Sequence, residues 1–349
     1  MNSTARSGGG SRAVVTGIGA VTPCGLDVAS TWDAIAAEAM RGFAPADPAR
    51  FGVTVATGSG PVSLIQDATR SLDEGGPRRI PPGVVVYGGP DAAAAYLSQR
   101  YGARGASVGT AATCASGTVA LGDAMRIIRH GYADAVLVVG ADDCLNRVNL
   151  AVNSTLGALA PGFADEPSRA CRPFDRARSG FVMSAGAAAL LVESEEHARC
   201  RGAMILGEIA GYGVTSDAYH PTAPRPDGSG AIAAMSAALD DARIPADEID
   251  HVNAHGTGTQ LNDEMEAEAL HTVFGDATSS VPVTSTKSTT GHLLAMRDGV
   301  IPPTINLDDP AFPELDIVAN VAREARMRTV LSNSFGFGGH NAALVLRSL

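Results

Sequence analysis

The stretch Val108-Gly109-Thr110-Ala111-Ala112-Thr113-Cys114-Ala115-Ser116-Gly117 runs into Thr118-Val119-Ala120-Leu121-Gly122-Asp123-Ala124-Met125-Arg126-Ile127-Ile128-Arg129. Ala135-Val136-Leu137-Val138-Val139-Gly140 follows shortly after. The middle run is apolar or small on nearly every side until Arg126, the pattern of a helix buried almost all round. His130-Gly131 predicts its stop, with glycine at the left-handed cap position. The last run is continuously apolar and reads as a strand buried on both faces. Cys114 falls at the first turn of the helix. Free N–H groups and the positive dipole end favour a thiolate there, so its pKa is expected to be lowered. Ala112, Ala115, Ser116 and Gly117 leave room for a substrate to reach the sulfur. The same stretch also suits an inert buried thiol, because free cysteine is among the most buried residue types.

The alternation continues on both sides. Apolar strands are expected within 13–23, where the strand runs into a glycine turn, and at 51–58, 186–192, 204–212, 249–253 and 281–286, with two closing strands within 331–346. Helices are expected at 27–37, 63–72, 91–101, 195–201, 230–243 and 264–274. Alternating strands and helices with apolar strands predict a layered α/β fold. A dinucleotide fingerprint fails at Gly17-Ile18-Gly19, because Thr22 stands where the third glycine belongs and Pro23 breaks the helix.

A chain of 349 residues holds one large or two ordinary domains, and 45% apolar residues suffice for a large core. The net charge of −11 argues against a nucleic-acid partner. Five cysteines, odd in number and without a CxxC pair, argue against a disulfide framework or a metal site. Residues 1–11 are polar, include Gly8-Gly9-Gly10, and read as a disordered tail, not a signal peptide. The longest apolar run, 181–192, is too short and too rich in glycine and alanine to span a bilayer. A cytoplasmic protein without a membrane partner is expected.

Two further stretches carry chemistry. In His251-Val252-Asn253-Ala254-His255-Gly256-Thr257-Gly258-Thr259, His255 follows a buried strand and precedes a Gly/Thr turn. That is where α/β folds place functional groups. Thr284-Ser285-Thr286-Lys287-Ser288-Thr289-Thr290-Gly291-His292 repeats the arrangement. A cysteine at a helix start with two histidines on strand-end loops suits nucleophilic acyl transfer. His251, His271 and His197 read as structural.

Cys114 in Cys-Ala-Ser-Gly, His255 in Asn-Ala-His-Gly-Thr-Gly-Thr, Lys287 and His292 in Ser-Thr-Lys-Ser-Thr-Thr-Gly-His, and Asn333-Ser334-Phe335-Gly336-Phe337-Gly338-Gly339 resemble the β-ketoacyl-acyl carrier protein synthases in order and spacing. Arg172-Pro173-Phe174-Asp175, Ser216-Asp217-Ala218-Tyr219-His220 and Pro302-Pro303-Thr304-Ile305-Asn306-Leu307 add to the likeness. The resemblance implies a thiolase-like five-layered α-β-α-β-α fold of two similar halves. These would be an N-terminal half over 12–200 with the nucleophile and a C-terminal half over 201–349 with the histidines.

It also implies roles. Cys114 would take an acyl chain from a carrier thioester. His255 and His292 would assist decarboxylation of malonyl carrier protein, and Lys287 would anchor the histidine loop, partnered by the buried acid Glu266. Backbone N–H groups of Cys114 and Phe335 would form the oxyanion hole, with Phe335 as gate. Thr257, Thr259 and Phe337 would bind substrate, and Arg78 and Arg79 would dock the acidic carrier. No cofactor or metal is implied, since phosphopantetheine arrives on the acyl carrier protein. A homodimer, or a heterodimer of ketosynthase type, is implied as well. The chain departs from the family's pattern after Ala295, where a core helix is missing, and between Ala44 and Phe51, where a loop and a second helix are missing. The acid of a glycine turn is absent from Met183-Ser184-Ala185-Gly186, and Thr113 and His340 are unusual at their positions. The alternative to a synthase is a non-catalytic partner subunit resembling a chain-length factor. A biosynthetic thiolase would need a second cysteine near the chain end, and 335–340 has none.

Overall fold

The computed structural model describes residues 11–21, 36–288 and 300–349. Residues 1–10 of the tail expected over 1–11, Cys24, most of the helix expected at 27–37, and His292 lie outside the described residues. Five strands come from the first part of the chain: β1 (Ala13–Val21), β2 (Phe51–Ala56), β3 (Ser107–Thr110), β4 (Ala135–Asp143) and β5 (Ala185–Ser194). The second part supplies β6 (Gly207–Ser216), β7 (His251–Asn253), β8 (Val283–Thr284), a separate ladder of β9 (Val300–Ile301) and β10 (Arg323–Glu324), then β11 (Thr329–Gly336) and β12 (His340–Arg347).

The strand order is β3-β2-β4-β5-β1 followed by β6-β12-β11-β7-β8. In the first five, β2 pairs in parallel with β3 and β4, and β5 pairs antiparallel with β4 and β1. In the second five, β7 pairs in parallel with β8 and β11, and β12 antiparallel with β11 and β6. The two sets thus share one topology. They meet at two pairs, Val14↔Glu208 and Val15↔Gly207.

Seven helices matter to the packing: α1 (Val62–Gly75), α2 (Ala92–Tyr101), α3 (Ser116–Arg129), α4 (Arg147–Thr155), α5 (Glu195–Cys200), α6 (Ser229–Ala242) and α7 (Gln260–Phe274). The period of two along each strand decides the layers. Val136 and Val138 of β4 point to a central core with Ala120, Ala124, Met125 and Ile128 of α3, while Leu137 and Val139 point away to Ala94 and Leu97 of α2. In β12, Ala342, Leu344 and Leu346 join the central core, and Ala343 and Val345 face Met235, Ala238 and Leu270 of α6 and α7. The sandwich is therefore α2, sheet, α3, sheet, α6 with α7: the five layers expected. A β-carbon on Gly213 would fall 2.0 Å from the Ala234 carbonyl oxygen, so β6 and α6 touch backbone to backbone only because that position is glycine.

Several elements differ from expectation. β6 starts at Gly207, not at 204, because Met204 is exposed and the Leu206 N–H donates to the Val15 carbonyl while the chain is still crossing. β8 is only Val283–Thr284, and Thr286, the last residue of the expected strand, opens a 3-10 turn over Thr286–Ser288. β3 and α4 have no counterpart among the expected elements. β3 is four residues with exposed Ser107 and Val108, and α4 buries none of its side chains, so neither carries a periodic apolar signal. Between β8 and β11 no α-helix occurs among the described residues, although α3 stands between the equivalent strands β3 and β4. Among the described residues, no helix is long and apolar enough to cross a membrane.

Candidate active site

Cys114 lies in a 3-10 turn, Thr113–Ala115, that leads into α3. The turn is sharp. Thr113 sits at φ +48, a left-handed conformation uncommon outside glycine, and its hydroxyl donates to the Phe337 carbonyl at 2.8 Å. The Ser116 hydroxyl accepts from the Ala112 N–H at 2.8 Å and shares its proton between the carbonyls of Thr113, at 2.7 Å, and Thr57, at 3.1 Å. β11 closes from the other side. A β-carbon on Gly336 would lie 2.2 Å from the Thr113 hydroxyl and about 3 Å from the Ala112 carbonyl and the Cys114 nitrogen. Glycine there lets the end of β11 reach the sulfur.

The backbone N–H groups of Phe337 and of Cys114 itself act on the sulfur and favour its anionic form. Phe335, the residue expected to supply that donor, instead sits within β11 with its ring buried edge-on against His255, centroids 5.8 Å apart. The donor comes from Phe337 because the chain leaves the ladder only after Gly336. The lowered thiol pKa expected at the helix start is also overturned. Burial pushes the thiol up, and the Asp142 carboxylate adds to this; Lys287 and the two N–H donors pull it back only in part.

His255 follows β7 on the turn that leads into α7. Two buried acids of α7, one turn apart, hold that turn from behind. Glu266 accepts from the N–H of His255 at 2.7 Å and of Gly256 at 2.8 Å, and from the Asn333 amide at 3.3 Å. Asp263 accepts from the N–H groups of Thr257 (3.1 Å), Gly258 (3.2 Å) and Phe174 (2.8 Å). Burial pushes both acids up, and the backbone N–H groups pull them back. The His255 ring is buried and its Nδ1 has no partner among the described residues. Burial, then the nearby Lys287 charge, holds this imidazole well below its usual pKa, so it is neutral at physiological pH.

The Lys287 ammonium donates to the His255 carbonyl oxygen. The ion pair expected with Glu266 does not form, because that acid's oxygens are taken by backbone donors; the two act on each other through space. Burial pushes the Lys287 amine down, opposed by Glu266, Cys114 and Asp263. Cys114 and Lys287 both retain solvent-exposed surface.

Cys114, His255, Lys287, Glu266, Phe335 and Phe337 are thus gathered in one region, while His292 lies outside the described residues. The hydroxyls of Thr257 and Thr259 are half-buried and bond each other at 2.9 Å. Arg78 and Arg79 are exposed on a 3-10 turn, Pro77–Arg79, and make no ion pair among the described residues. His251 is a structural histidine, 2.8 Å from the Thr284 hydroxyl, and His197 lies 2.7 Å from Glu193. Asp263, Asn333 and Asp142 were assigned no role from the sequence, although Asn333 opens one of the quoted motifs. Asp263 had a signal as well: an acid in the first turn of a helix opened by Gly-Thr-Gly-Thr. A cavity of ≈ 660 Å³ adjoins the nucleophile turn, lined in part by Thr57, Gly58, Ser59, Val62, Ile65 and Ala111.

Family models described as the β-ketoacyl synthase N-terminal domain and C-terminal domain match residues 35–198 and 206–308. The 3-oxoacyl-acyl-carrier-protein synthase 2 of Rhizobium meliloti is 41% identical over 315 residues, 86% of this chain and 75% of that protein. The protein of the same name from Staphylococcus aureus is 42% identical over 85% of this chain and 77% of that protein. Among solved structures, a type II polyketide ketosynthase in complex with its acyl-carrier protein, AntDE with AntF, aligns with a TM-score of 0.90 at 29% identity. It covers 97% of this chain and 100% of that one. A β-ketoacyl synthase from Burkholderia phymatum gives 0.83 at 31% identity, covering the same shares.

Proposed function

The chain belongs to the β-ketoacyl synthase family, and on that premise we propose that it condenses an acyl chain held on Cys114 with malonyl carrier protein, in fatty acid or polyketide synthesis. The observation that carries the reading is the meeting of an accessible sulfur, two backbone N–H groups that favour its anion, and a neutral buried imidazole beside a lysine.

The sulfur attacks the thioester carbonyl of an acyl carrier protein. The C–S bond to the carrier breaks, and the carrier leaves as its thiol. In that step the N–H groups of Phe337 and Cys114 stabilise the tetrahedral oxyanion. Malonyl carrier protein then enters and its carboxylate departs as carbon dioxide. The electron pair left behind forms an enolate, which attacks the acyl carbonyl on Cys114 and releases the sulfur. The product is a 3-ketoacyl chain two carbons longer. Neutral His255, with its proton on Nε2 and the unpartnered Nδ1 as a bare lone pair, donates to the enolate oxygen. His292 shares that role. Lys287 holds the His255 carbonyl, and Glu266 fixes the turn. Phe335 packs against the imidazole as gate, while Thr257, Thr259 and Phe337 line the pantetheine path.

Unpaired Arg78 and Arg79 suit an acidic carrier protein, whose phosphopantetheine is the only prosthetic group the reaction needs. The open edge of β3 and exposed Val108, Val148 and Val152 suit a dimer, with a second copy or a ketosynthase-like partner. The cytoplasm, where carrier proteins work, is the expected location. That no α-helix occurs between β8 and β11 among the described residues favours a second reading, a non-catalytic partner subunit. Intact mass after mixing with acyl carrier protein separates the two. The synthase gains the mass of the acyl group, and Cys114→Ala does not. Acylation that persists in Cys114→Ala, or never occurs in the parent chain, overturns the assignment.

A further inference from the structure

Asp142 lies at the end of β4, opposite Gly186 in the ladder with β5. Its Oδ1 accepts from the Thr57 hydroxyl at 2.8 Å, the Gly58 and Ser59 N–H groups at 3.0 Å, and the Ser59 hydroxyl at 3.3 Å; its Oδ2 accepts from the Gly58 N–H at 2.8 Å. Residues 57–60 form one wall of the cavity beside the nucleophile. The same turn touches the nucleophile turn directly. The Thr57 carbonyl receives the Ser116 hydroxyl, and the Gly58 β-position is 3.2 Å from the Thr113 carbonyl. Cys144 sits behind, its sulfur 3.4 Å from the Ser59 hydroxyl. One carboxylate therefore pins the cavity wall against the turn that carries the reactive cysteine.

We propose that Asp142 is a positioning residue that holds the 57–60 wall against the nucleophile turn and so sets which acyl chains Cys114 accepts. The proposal rests on the synthase reading above and deepens it. The physical reason is donor count. Four donor groups converge on the carboxylate, and an amide of the same shape would turn a donor toward the Gly58 N–H at 2.8 Å, forcing that wall to move. Short chains that do not reach along the cavity are insensitive to the shift; long chains are not. The charge adds an independent signature. Among the described residues, the ionisable groups acting on the Cys114 sulfur are Lys287 and Asp142, with the Cys144 thiol also within electrostatic reach. Removing the Asp142 charge removes one influence that pushes the thiol up.

The test compares Cys114 loading from acetyl and from long-chain acyl carrier protein, with iodoacetamide alkylation of Cys114 followed against pH. Asp142→Asn is expected to slow long-chain loading relative to acetyl loading by about threefold to tenfold, the worth of one or two hydrogen bonds. Its alkylation midpoint shifts to lower pH. Ser59→Ala keeps the charge and is expected to move selectivity in the same direction, by less, with no shift of the midpoint. Equal slowing of both chains, or unchanged selectivity in both variants, overturns the proposal. If circular dichroism shows Asp142→Asn unfolded, Ser59→Ala alone decides. A parent chain that loads neither substrate removes the synthase reading and this inference together.

Discussion

Asp175→Asn tests how the site is braced. Asp175 is buried, and its carboxylate receives four donors: Arg172 Nε at 3.1 Å and the Ala177 N–H at 2.8 Å on one oxygen, the Asp308 N–H at 2.8 Å and the Asp309 N–H at 2.9 Å on the other. It joins the 172–177 loop to the 308–309 loop. The neighbouring Phe174 N–H is held by Asp263, the acid that also cradles the turn after His255. An asparagine satisfies one side and points an amide donor at two donors on the other. Losing two charge-assisted hydrogen bonds, at about 1.5–3 kcal/mol each, puts the cost at about 3–6 kcal/mol. Burial alone would raise this carboxyl. The Arg172 bond and the backbone N–H groups outweigh it and hold the pKa below the usual carboxylate range.

On acidification the unfolded chain takes up this proton first. The contribution is therefore full above the unfolded value of about 3.9 and is lost as pH falls through the lower folded value. Urea unfolding followed by far-UV circular dichroism should show the full gap between parent and variant at about pH 7 and a clearly smaller one near pH 3. A gap below about 1 kcal/mol, or one of the same size at both pH values, refutes the bracing argument.

Two further outcomes follow from the site. The midpoint of Cys114 alkylation against pH should lie above that of a free thiol, because burial outweighs the pull of Lys287, and Lys287→Met should raise it further; a parental midpoint below that of free cysteine would contradict the geometry. Gly336→Ala should destabilise the protein by about 1–3 kcal/mol, as overpacking does, and slow acyl loading of Cys114, since the new methyl meets the Thr113 hydroxyl and the nucleophile's own backbone. Parental melting and loading in that variant would mean the two segments do not touch.

The layered fold was legible in the chain because its signals are local and periodic. The helix over 116–129 declared itself by being apolar all round, and β4 by an unbroken run of valines and leucine, both read from neighbours in sequence. Cys114, His255, Lys287 and the Phe335–Phe337 motif were visible for the same reason, as short strings with fixed spacing. β3 and α4 were not, since an exposed edge and a helix without a buried face carry no periodic signal.

What only the folded chain decided depends on contacts between distant segments. A helix start favours a thiolate, yet the sulfur's pKa is raised, because burial sums over groups from several elements. Which phenylalanine offers its N–H to the sulfur turned on where β11 leaves its ladder. Glu266 holds backbone N–H groups and not Lys287, because the turn after β7 presents those donors first. Residue identity and order supplied the reacting groups; distances across the fold assigned their partners and charges.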